Sequence, residues 1–228
     1  MRGGAPLIVA IDGPAGVGKS TVSRRLARRL GVPYLDTGAM YRALGLRVLR
    51  RGIDPADRAA VEAATAEAAV SLRPAAEGRY EVLLDGEPVE AWIRTPEVSE
   101  ATSTISAHPA VRRRMVALQQ AAARELGGVL EGRDIGTRVF PETPHKFFLT
   151  ARTDVRAGRR FAELTAAGAD LAYEQVLDDL ERRDHRDSNR EDSPLTHDAS
   201  YTVVDTSDLT IDEVVERMAE AIARISAP

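Results

Sequence analysis

The stretch Gly13-Pro14-Ala15-Gly16-Val17-Gly18-Lys19-Ser20-Thr21 decides the fold of this chain. It has the spacing of a phosphate-binding loop, and it lies directly between the apolar run Leu7 to Ile11 and a helical pattern. Glycines let the backbone amides of such a loop turn inward around a phosphate, Lys19 adds a positive charge, and the Ser20 hydroxyl can reach Mg²⁺. We therefore predict that residues 13 to 21 bind a nucleoside triphosphate.

The composition narrows the possible partners and the compartment. The chain has 228 residues and a formal net charge of -4, which gives no general electrostatic reason to expect a nucleic-acid partner. It has no cysteine, which excludes disulfides and thiolate metal sites and favours the cytoplasm. The apolar runs are too short to span a membrane, so we expect no membrane partner.

The order of apolar and helical patterns predicts the fold class. Helical stretches separate most of the apolar runs, and this alternation is typical of an α/β fold with a parallel sheet. We predict a P-loop three-layer fold whose five parallel strands are the following: Leu7 to Ile11, Pro33 to Leu35, Gly128 to Leu130, Lys146 to Leu149 and Tyr201 to Val204.

Two segments interrupt this alternation. Residues 79 to 89 read as a β-hairpin with Asp85-Gly86 at its turn, and they indicate an insertion at about 37–108. Residues 154 to 192 are helical by pattern and dense in Arg and Asp, which indicates a helical lid. We therefore predict a single P-loop domain over 1–228, with its core at about 1–36, 109–153 and 193–228.

The rest of the chain favours one class of P-loop protein over the others. A GTPase usually reads guanine with Asn-Lys-x-Asp, but the single asparagine, Asn189, is followed by Arg190. A motor ATPase usually has an acidic pair after a strand, and Glu131 and Asp134 match that pattern poorly. These observations favour a small-molecule kinase, although a non-catalytic nucleotide sensor remains an alternative.

Arginines near the strand ends predict a phosphorylated acceptor. Arg42 and Arg133 follow the second and third predicted strands, and ligands bind at the carboxyl edge of such a sheet. They could hold an acceptor phosphate in line with the γ-phosphorus, and a phosphate oxygen needs no general base to attack.

The predicted lid offers further arginines. Arg183, Arg186 and Arg190, with Asp187 between them, could bind a sugar hydroxyl and phosphate oxygens. Arg156, Arg159 and Arg160 are weaker candidates for the same lid. The histidines have no metal-site spacing, so we expect only Mg²⁺ carried with the triphosphate.

Five ordered motifs together resemble bacterial cytidylate kinases, a family of P-loop nucleoside monophosphate kinases. The resemblance runs nearly end to end, and its motifs are Gly13 to Thr21, Asp36 to Arg42, Ile93-Arg94-Thr95, Glu131 to Thr137 and Arg183 to Arg190. It implies transfer of phosphate from ATP to CMP or dCMP and an insertion that helps to recognise cytosine. The remaining alternative within enzymes is phosphorylation of another small acceptor.

The resemblance also implies residue roles. The matching substrate-binding positions are Thr37, Tyr41, Arg42, Ser103, Arg112, Arg133, Asp134, Arg183, Asp187 and Arg190. Among them, Thr37, Ser103, Arg112 and Asp134 would contact the base, Arg42 and Arg133 the phosphate, and Arg183, Asp187 and Arg190 the pentose and a nearby phosphate. The implied catalytic residues are Lys19, Arg133, Arg183 and Arg190. Thr37 stands where the family has serine, and both residues carry the hydroxyl. Because composition indicates no oligomer face, we expect a monomer.

Overall fold

The structure is a computed structural model that describes residues 6–75, 79–166, 168–190 and 192–226. Positions 167 and 191 of the predicted lid therefore lie outside the described residues. The elements in chain order are β1 Ile8–Asp12, α1 Lys19–Leu30, β2 Tyr34–Asp36, α2 Thr37–Arg50, α3 Arg58–Ala66, β3 Val70–Pro74, β4 Tyr80–Leu84, β5 Glu87–Pro88, α4 Pro96–Ile105, α5 Pro109–Leu126, β6 Gly128–Gly132, a π-helical turn Ile135–Val139, β7 His145–Thr150, α6 Thr153–Ala166, α7 Tyr173–Ser188, β8 Thr202–Asp205 and α8 Ile211–Ser226.

Five strands form the main sheet, in the order β2-β6-β1-β7-β8. They are the five strands that the apolar runs predict, and the predicted α/β class with a five-stranded parallel sheet is confirmed. The described residues divide into two compact units: unit 1 contains those from Gly31 to Leu130 and those up to Ile8, and unit 2 contains those from Val9 to Leu30 and from Glu131 onward. The domain boundaries expected from the sequence stay a prediction.

Unit 1 contains a smaller antiparallel sheet in the order β3-β4-β5. The hairpin of β4 and β5 follows the sequence pattern, whereas β3 was not predicted, because its segment follows an alanine-rich stretch that resembles continuous helix. Arg47 of α2 is buried and donates from Nε to the Ala64 carbonyl at 2.7 Å, and its guanidinium also pairs with Asp85 at the hairpin turn. This side chain therefore joins α2 to α3 and to the small sheet.

Helices α2 and α4 of unit 1 pack at very short range. A Cβ at Gly45 of α2 would lie 2.3 Å from Thr102 Oγ1 and 3.3 Å from the Val98 carbonyl oxygen of α4. Only a residue without a side chain permits this approach. The contact fixes the helix that begins with Thr37 against the helix that carries Ser103.

Unit 2 carries the phosphate-binding loop at the end of a buried strand. β1 pairs in parallel with β7, with Val9 opposite His145 and Asp12 opposite Phe148. Val9, Ala10 and Ile11 of β1 are fully buried, and α1 buries Val22 and Leu26 on one face as its pattern predicts. The loop therefore begins on a fixed strand end and leads directly into α1.

Among the described helices, none is both long and apolar enough to cross a membrane.

Candidate active site

The phosphate-binding loop lies tightly against β7 and α6. Gly13 has φ +149°, and a Cβ there would lie 2.2 Å from the Leu149 carbonyl oxygen. Gly16 has φ +78°, and a Cβ there would lie 2.9 Å from the carbonyl oxygen of Arg156. A side chain at either position would meet backbone that cannot move cheaply, which explains why this turn needs glycine for packing as well as for phosphate.

Lys19, the first residue of α1, is buried at the base of the loop. Its Nζ donates to the Gly13 carbonyl at 2.7 Å and to the Pro14 carbonyl at 2.6 Å. Burial lowers the pKa of Lys19 well below its usual value, and the nearby Arg133 and Arg183 guanidinium charges lower it further. Glu131 and Asp187 oppose this decrease. The Lys19 ammonium therefore lies near Arg133 and Arg183, two arginines predicted to bind phosphate, and near the carboxylates of Glu131 and Asp187.

Asp187 joins two of the predicted arginines. Arg133 donates from Nε to Asp187 Oδ2 at 2.8 Å, and Arg190 donates from Nη2 to Oδ1 of the same carboxylate. Burial opposes ionisation of Asp187, but the charges of Arg133, Arg190 and Arg183 outweigh it and hold the pKa below its usual range. The structure thus brings together Arg133, Arg183, Asp187 and Arg190, while their individual roles stay predictions.

The start of α2 in unit 1 carries three predicted residues, Thr37, Tyr41 and Arg42. Asp36 caps this helix by accepting from the Ala39 amide at 2.8 Å, and it also pairs with Arg42 Nη2 at 3.3 Å. Arg42 Nε is buried and has no hydrogen-bond partner among the described residues.

Arg94, from the Ile93-Arg94-Thr95 motif, is a neighbour of this pair. Its Nη2 lies 3.3 Å from Asp36 Oδ2, so one carboxylate holds two guanidinium groups close together. Burial disfavours the charged form of Arg94, but Asp36 and Glu90 hold its pKa above the usual value. Arg42 and Arg94 therefore form a converging cationic pair, which suits a phosphate group.

Arg112 and Ser103 complete the predicted set in unit 1. Arg112, in the first turn of α5, is buried and donates from Nη1 to the Ser106 carbonyl at 3.1 Å. Its guanidinium carbon lies 5.9 Å from the centre of the Tyr41 ring, a cation–π distance. Ser103 lies on α4, and its carbonyl accepts from Ser106 Oγ at 3.0 Å.

Asp12 is a buried charged residue that sequence reasoning missed. It is fully buried at the end of β1, where its carboxylate accepts from the Ile135 and Gly136 amides at 2.8 and 2.9 Å and from Tyr201 Oη at 2.9 Å. Burial and, to a smaller extent, the Asp134 charge raise its pKa to about 6, against the lowering effect of these hydrogen bonds. The available signal was an acidic residue directly after the apolar run Leu7 to Ile11, at the end of β1.

Arg156 is a second residue whose position was not foreseen. Its Nη1 donates to the Ala15 carbonyl of the loop at 3.2 Å and also to Asp184, while Nε donates to the Ala151 carbonyl at 3.1 Å. The guanidinium is therefore buried against the phosphate-binding loop. Arg160, by contrast, is paired with Glu163 on the surface.

The donor groups fit a metal that arrives with a nucleotide. Among the described residues, no group of three His, Cys, Asp or Glu side chains could hold a metal ion by itself. Ser20, on the first turn of α1, is exposed next to the buried Lys19. A hydroxyl with phosphate oxygens and water is the kind of ligand set that Mg²⁺ accepts.

Comparisons with known proteins identify the family. The family model described as cytidylate kinase matches residues 9–224. Cytidylate kinases from Corynebacterium glutamicum and Pelotomaculum thermopropionicum are 54% and 46% identical to the chain, over 93% and 96% of it and 92% and 96% of their own lengths. A solved structure of an uncharacterized protein from Eubacterium ventriosum matches with TM-score 0.50 and 14% identity over 96% of this chain and 99% of its own, which supports the fold alone. With the family model covering both the loop and the charged cluster around Asp187, the chain belongs to the cytidylate kinase family and is a kinase.

Proposed function

We propose that this enzyme transfers the γ-phosphate of ATP to CMP or dCMP, giving ADP and CDP or dCDP. The observation that carries the proposal is the shared Asp187 carboxylate, which holds Arg133 and Arg190 together near the Lys19 charge. Such a cluster suits phosphate oxygens on which charge develops during transfer. The named relatives are cytidylate kinases, which supports CMP as the acceptor.

On the donor side, the loop amides and Lys19 would bind the triphosphate. Lys19 donates to loop carbonyls at 2.7 and 2.6 Å, and phosphate oxygens are stronger acceptors for the same ammonium. Mg²⁺ would be held by Ser20, water and phosphate oxygens, and when bound it supplies charge neutralisation between the phosphates.

On the acceptor side, Arg42 and Arg133 would hold the phosphate of CMP. The unpartnered Nε of Arg42 supports this role, because a buried donor without a partner is costly unless a ligand accepts from it. The phosphate monoester is itself the nucleophile, so positioning and charge neutralisation suffice for direct in-line transfer.

Recognition of cytosine would use Asp134 and Arg112, with Thr37, Tyr41 and Ser103 completing the substrate-binding set. A carboxylate such as Asp134 accepts from the 4-amino group of cytosine, whereas uracil has a carbonyl at that position. The arginine can donate to the ring nitrogen and carbonyl. Replacing CMP by UMP would mispair these buried groups, at about 1 to 3 kcal/mol each.

The arginines of the predicted lid would act on the pentose and the transferring phosphate. Arg183 and Arg190 would supply charge, and Asp187 would accept from a sugar hydroxyl. Arg133 follows β6 and Arg190 follows α7, and their pairing with the same Asp187 carboxylate supports a common action of these two segments. Monomeric state, cytoplasmic location and closure of the lid remain predictions.

A coupled assay of ADP release with CMP, dCMP, UMP, AMP and GMP tests the proposal. We expect CMP and dCMP to be preferred over UMP by at least about tenfold in kcat/KM. Arg133→Ala should raise KM for CMP and lower kcat, by about a hundredfold or more in kcat/KM. Arg138→Ala is the matched control, because Arg138 lies five residues away and pairs with Asp192 on the surface. Equal rates with UMP would contradict the cytosine assignment, and an unaffected Arg133→Ala would contradict the phosphate site.

A further inference from the structure

The Asp12 carboxylate is surrounded by donors from two distant parts of unit 2. It accepts from two consecutive amides, those of Ile135 and Gly136, and from the Tyr201 hydroxyl, at 2.8 to 2.9 Å. The side chain has no exposed surface. Its partners lie 123 to 189 residues away in sequence, so the contact is purely tertiary.

The two amides belong to the segment that carries predicted substrate contacts. Arg133 and Asp134 immediately precede Ile135, and the π-helical turn starts there. Asp134 has φ -149° and ψ 24°, outside the regular helix and strand regions, so its conformation depends on tertiary contacts. The Asp12 carboxylate anchors the backbone just after Asp134, which sets the direction of both side chains.

A carboxylate is the group that these donors require. It has two oxygens with about four acceptor positions, and all three donors can be satisfied at once. An asparagine offers a single oxygen and turns an NH₂ group towards one of the amides. Burial penalises the charge of Asp12 and raises its pKa, so the ionised carboxylate costs stability at neutral pH.

We propose that Asp12 is a positioning residue that sets Arg133 and Asp134 for recognition of the acceptor nucleotide. The inference rests on the roles proposed for Arg133 and Asp134. Asp12 itself touches neither nucleotide; it acts through the backbone of residues 135 and 136. Because it also directly precedes Gly13, it links the acceptor contacts to the start of the phosphate-binding loop.

The test compares Asp12→Asn with wild type in the coupled assay with CMP and with UMP. We expect KM for CMP to rise about tenfold or more, and the CMP-to-UMP ratio of kcat/KM to fall towards one, since a small displacement of Asp134 weakens its contact with the base. The affinity for ADP alone, measured by calorimetry, should change less than about threefold, because the loop amides are untouched.

Two further variants complete the test. Tyr201→Phe removes one of the three donors and leaves both amide bonds, so a smaller shift of the ratio in the same direction is expected. Asp198→Asn is the matched control, an exposed carboxylate that accepts from Ser200 and should leave the ratio unchanged. If Asp12→Asn does not fold, Tyr201→Phe carries the test.

The outcomes separate this inference from the proposed function. A wild-type enzyme that does not prefer CMP to UMP overturns the proposed specificity and this role with it. If the wild type discriminates and Arg133→Ala is impaired, but Asp12→Asn keeps both its KM for CMP and its ratio, then Asp12 has no positioning role. If only Tyr201→Phe folds, an unchanged CMP-to-UMP ratio of kcat/KM in that variant also shows that Asp12 has no positioning role.

Discussion

Arg156 donates from Nη1 to the Ala15 carbonyl at 3.2 Å, so a buried guanidinium of α6 supports the phosphate-binding loop from below. The same group pairs with Asp184, which is four-fifths buried. We expect Arg156→Ala to raise KM for ATP about tenfold or more, because the phosphate-binding loop loses the hydrogen bond to the Ala15 carbonyl. It should also destabilise the fold by about 2 to 4 kcal/mol, since Asp184 is left without its partner. Denaturation and initial rates at varied ATP measure both effects.

Arg160→Ala on the same helix is the control for that prediction. Its ion pair with Glu163, three residues along the helix, is exposed, and such pairs contribute at most about 1 kcal/mol to the free energy of unfolding. We expect no change in KM for ATP. If Arg156→Ala and Arg160→Ala have the same KM for ATP, the loop does not depend on its contact with Arg156.

Lys19→Ala should abolish turnover and preserve the fold. Burial and the nearby arginine charges already penalise the ammonium, so its removal should leave the free energy of unfolding unchanged or higher. The loss in kcat should be at least about a hundredfold, because the charge facing the transferring phosphate disappears. Circular dichroism and the coupled assay measure the two quantities.

Lys146→Met tests whether this effect is specific, since Lys146 is the other lysine of the chain. Its Nζ donates to Ser200 Oγ at 3.1 Å and lies 5.8 Å from the centre of the Tyr201 ring. We expect lower stability but activity within about threefold of wild type. Equal turnover of Lys19→Ala and wild type would remove Lys19 from the mechanism.

The free energy of unfolding should depend on pH because of Asp12. Its pKa is raised from 3.8 to about 6, so the folded state binds this proton more tightly than the unfolded state. The stabilising contribution is complete below about pH 4 and is lost as the pH rises through 6. Relative to Asp12→Asn, wild type should therefore lose up to about 3 kcal/mol of unfolding free energy between pH 4 and 7.

For Asp187→Asn we expect the opposite pH dependence of the free energy of unfolding. The pKa of Asp187 is held below its usual value by its arginine partners, so its contribution is present at neutral pH and lost on acidification. Wild type should lose stability relative to this variant as the pH falls below about 4. If the difference in unfolding free energy from wild type follows the same pH dependence for both variants, the pKa values of Asp12 and Asp187 are not shifted in opposite directions.

Gly45→Ala should loosen unit 1. The new Cβ would lie 2.3 Å from Thr102 Oγ1, and overpacking of this kind costs about 1 to 3 kcal/mol. In the double variant Gly45→Ala/Thr102→Ala the closest contact disappears and only the 3.3 Å backbone contacts remain. Urea denaturation should therefore show partial recovery, and an additive double variant would contradict the clash.

Local patterns were enough to predict most of the fold. Pro96 and Pro109 mark the first turns of α4 and α5 as the sequence indicates, and Thr95 caps α4. The helix after Asp54-Pro55 was expected earlier than it begins, because Asp57 caps α3. The strand Val70–Pro74 was missed because pairing with β4, a tertiary contact, gives it its conformation.

The candidate site was predictable where motifs carry it and not where distant contacts do. Strand-end placement indicated Arg133, the charged lid pattern indicated Asp187 and Arg190, and the resemblance to a family supplied their roles. In the structure, both arginines pair with the Asp187 carboxylate. Asp12 and Arg156 gave no motif signal, since each is defined by partners far along the chain. Burial of a charge is a tertiary property that no local window reports.

The carboxylate shared by Arg133 and Arg190 has a consequence for competition between anions. Because a resident counter-ion already neutralises part of the cluster, an isolated chloride or inorganic phosphate ion gains little by entering. A nucleotide with several phosphates offers enough acceptors to engage the guanidinium groups along with Lys19 and the loop amides. We therefore expect millimolar orthophosphate to inhibit the enzyme only weakly. Nucleotide binding should then depend little on the concentration of small inorganic anions.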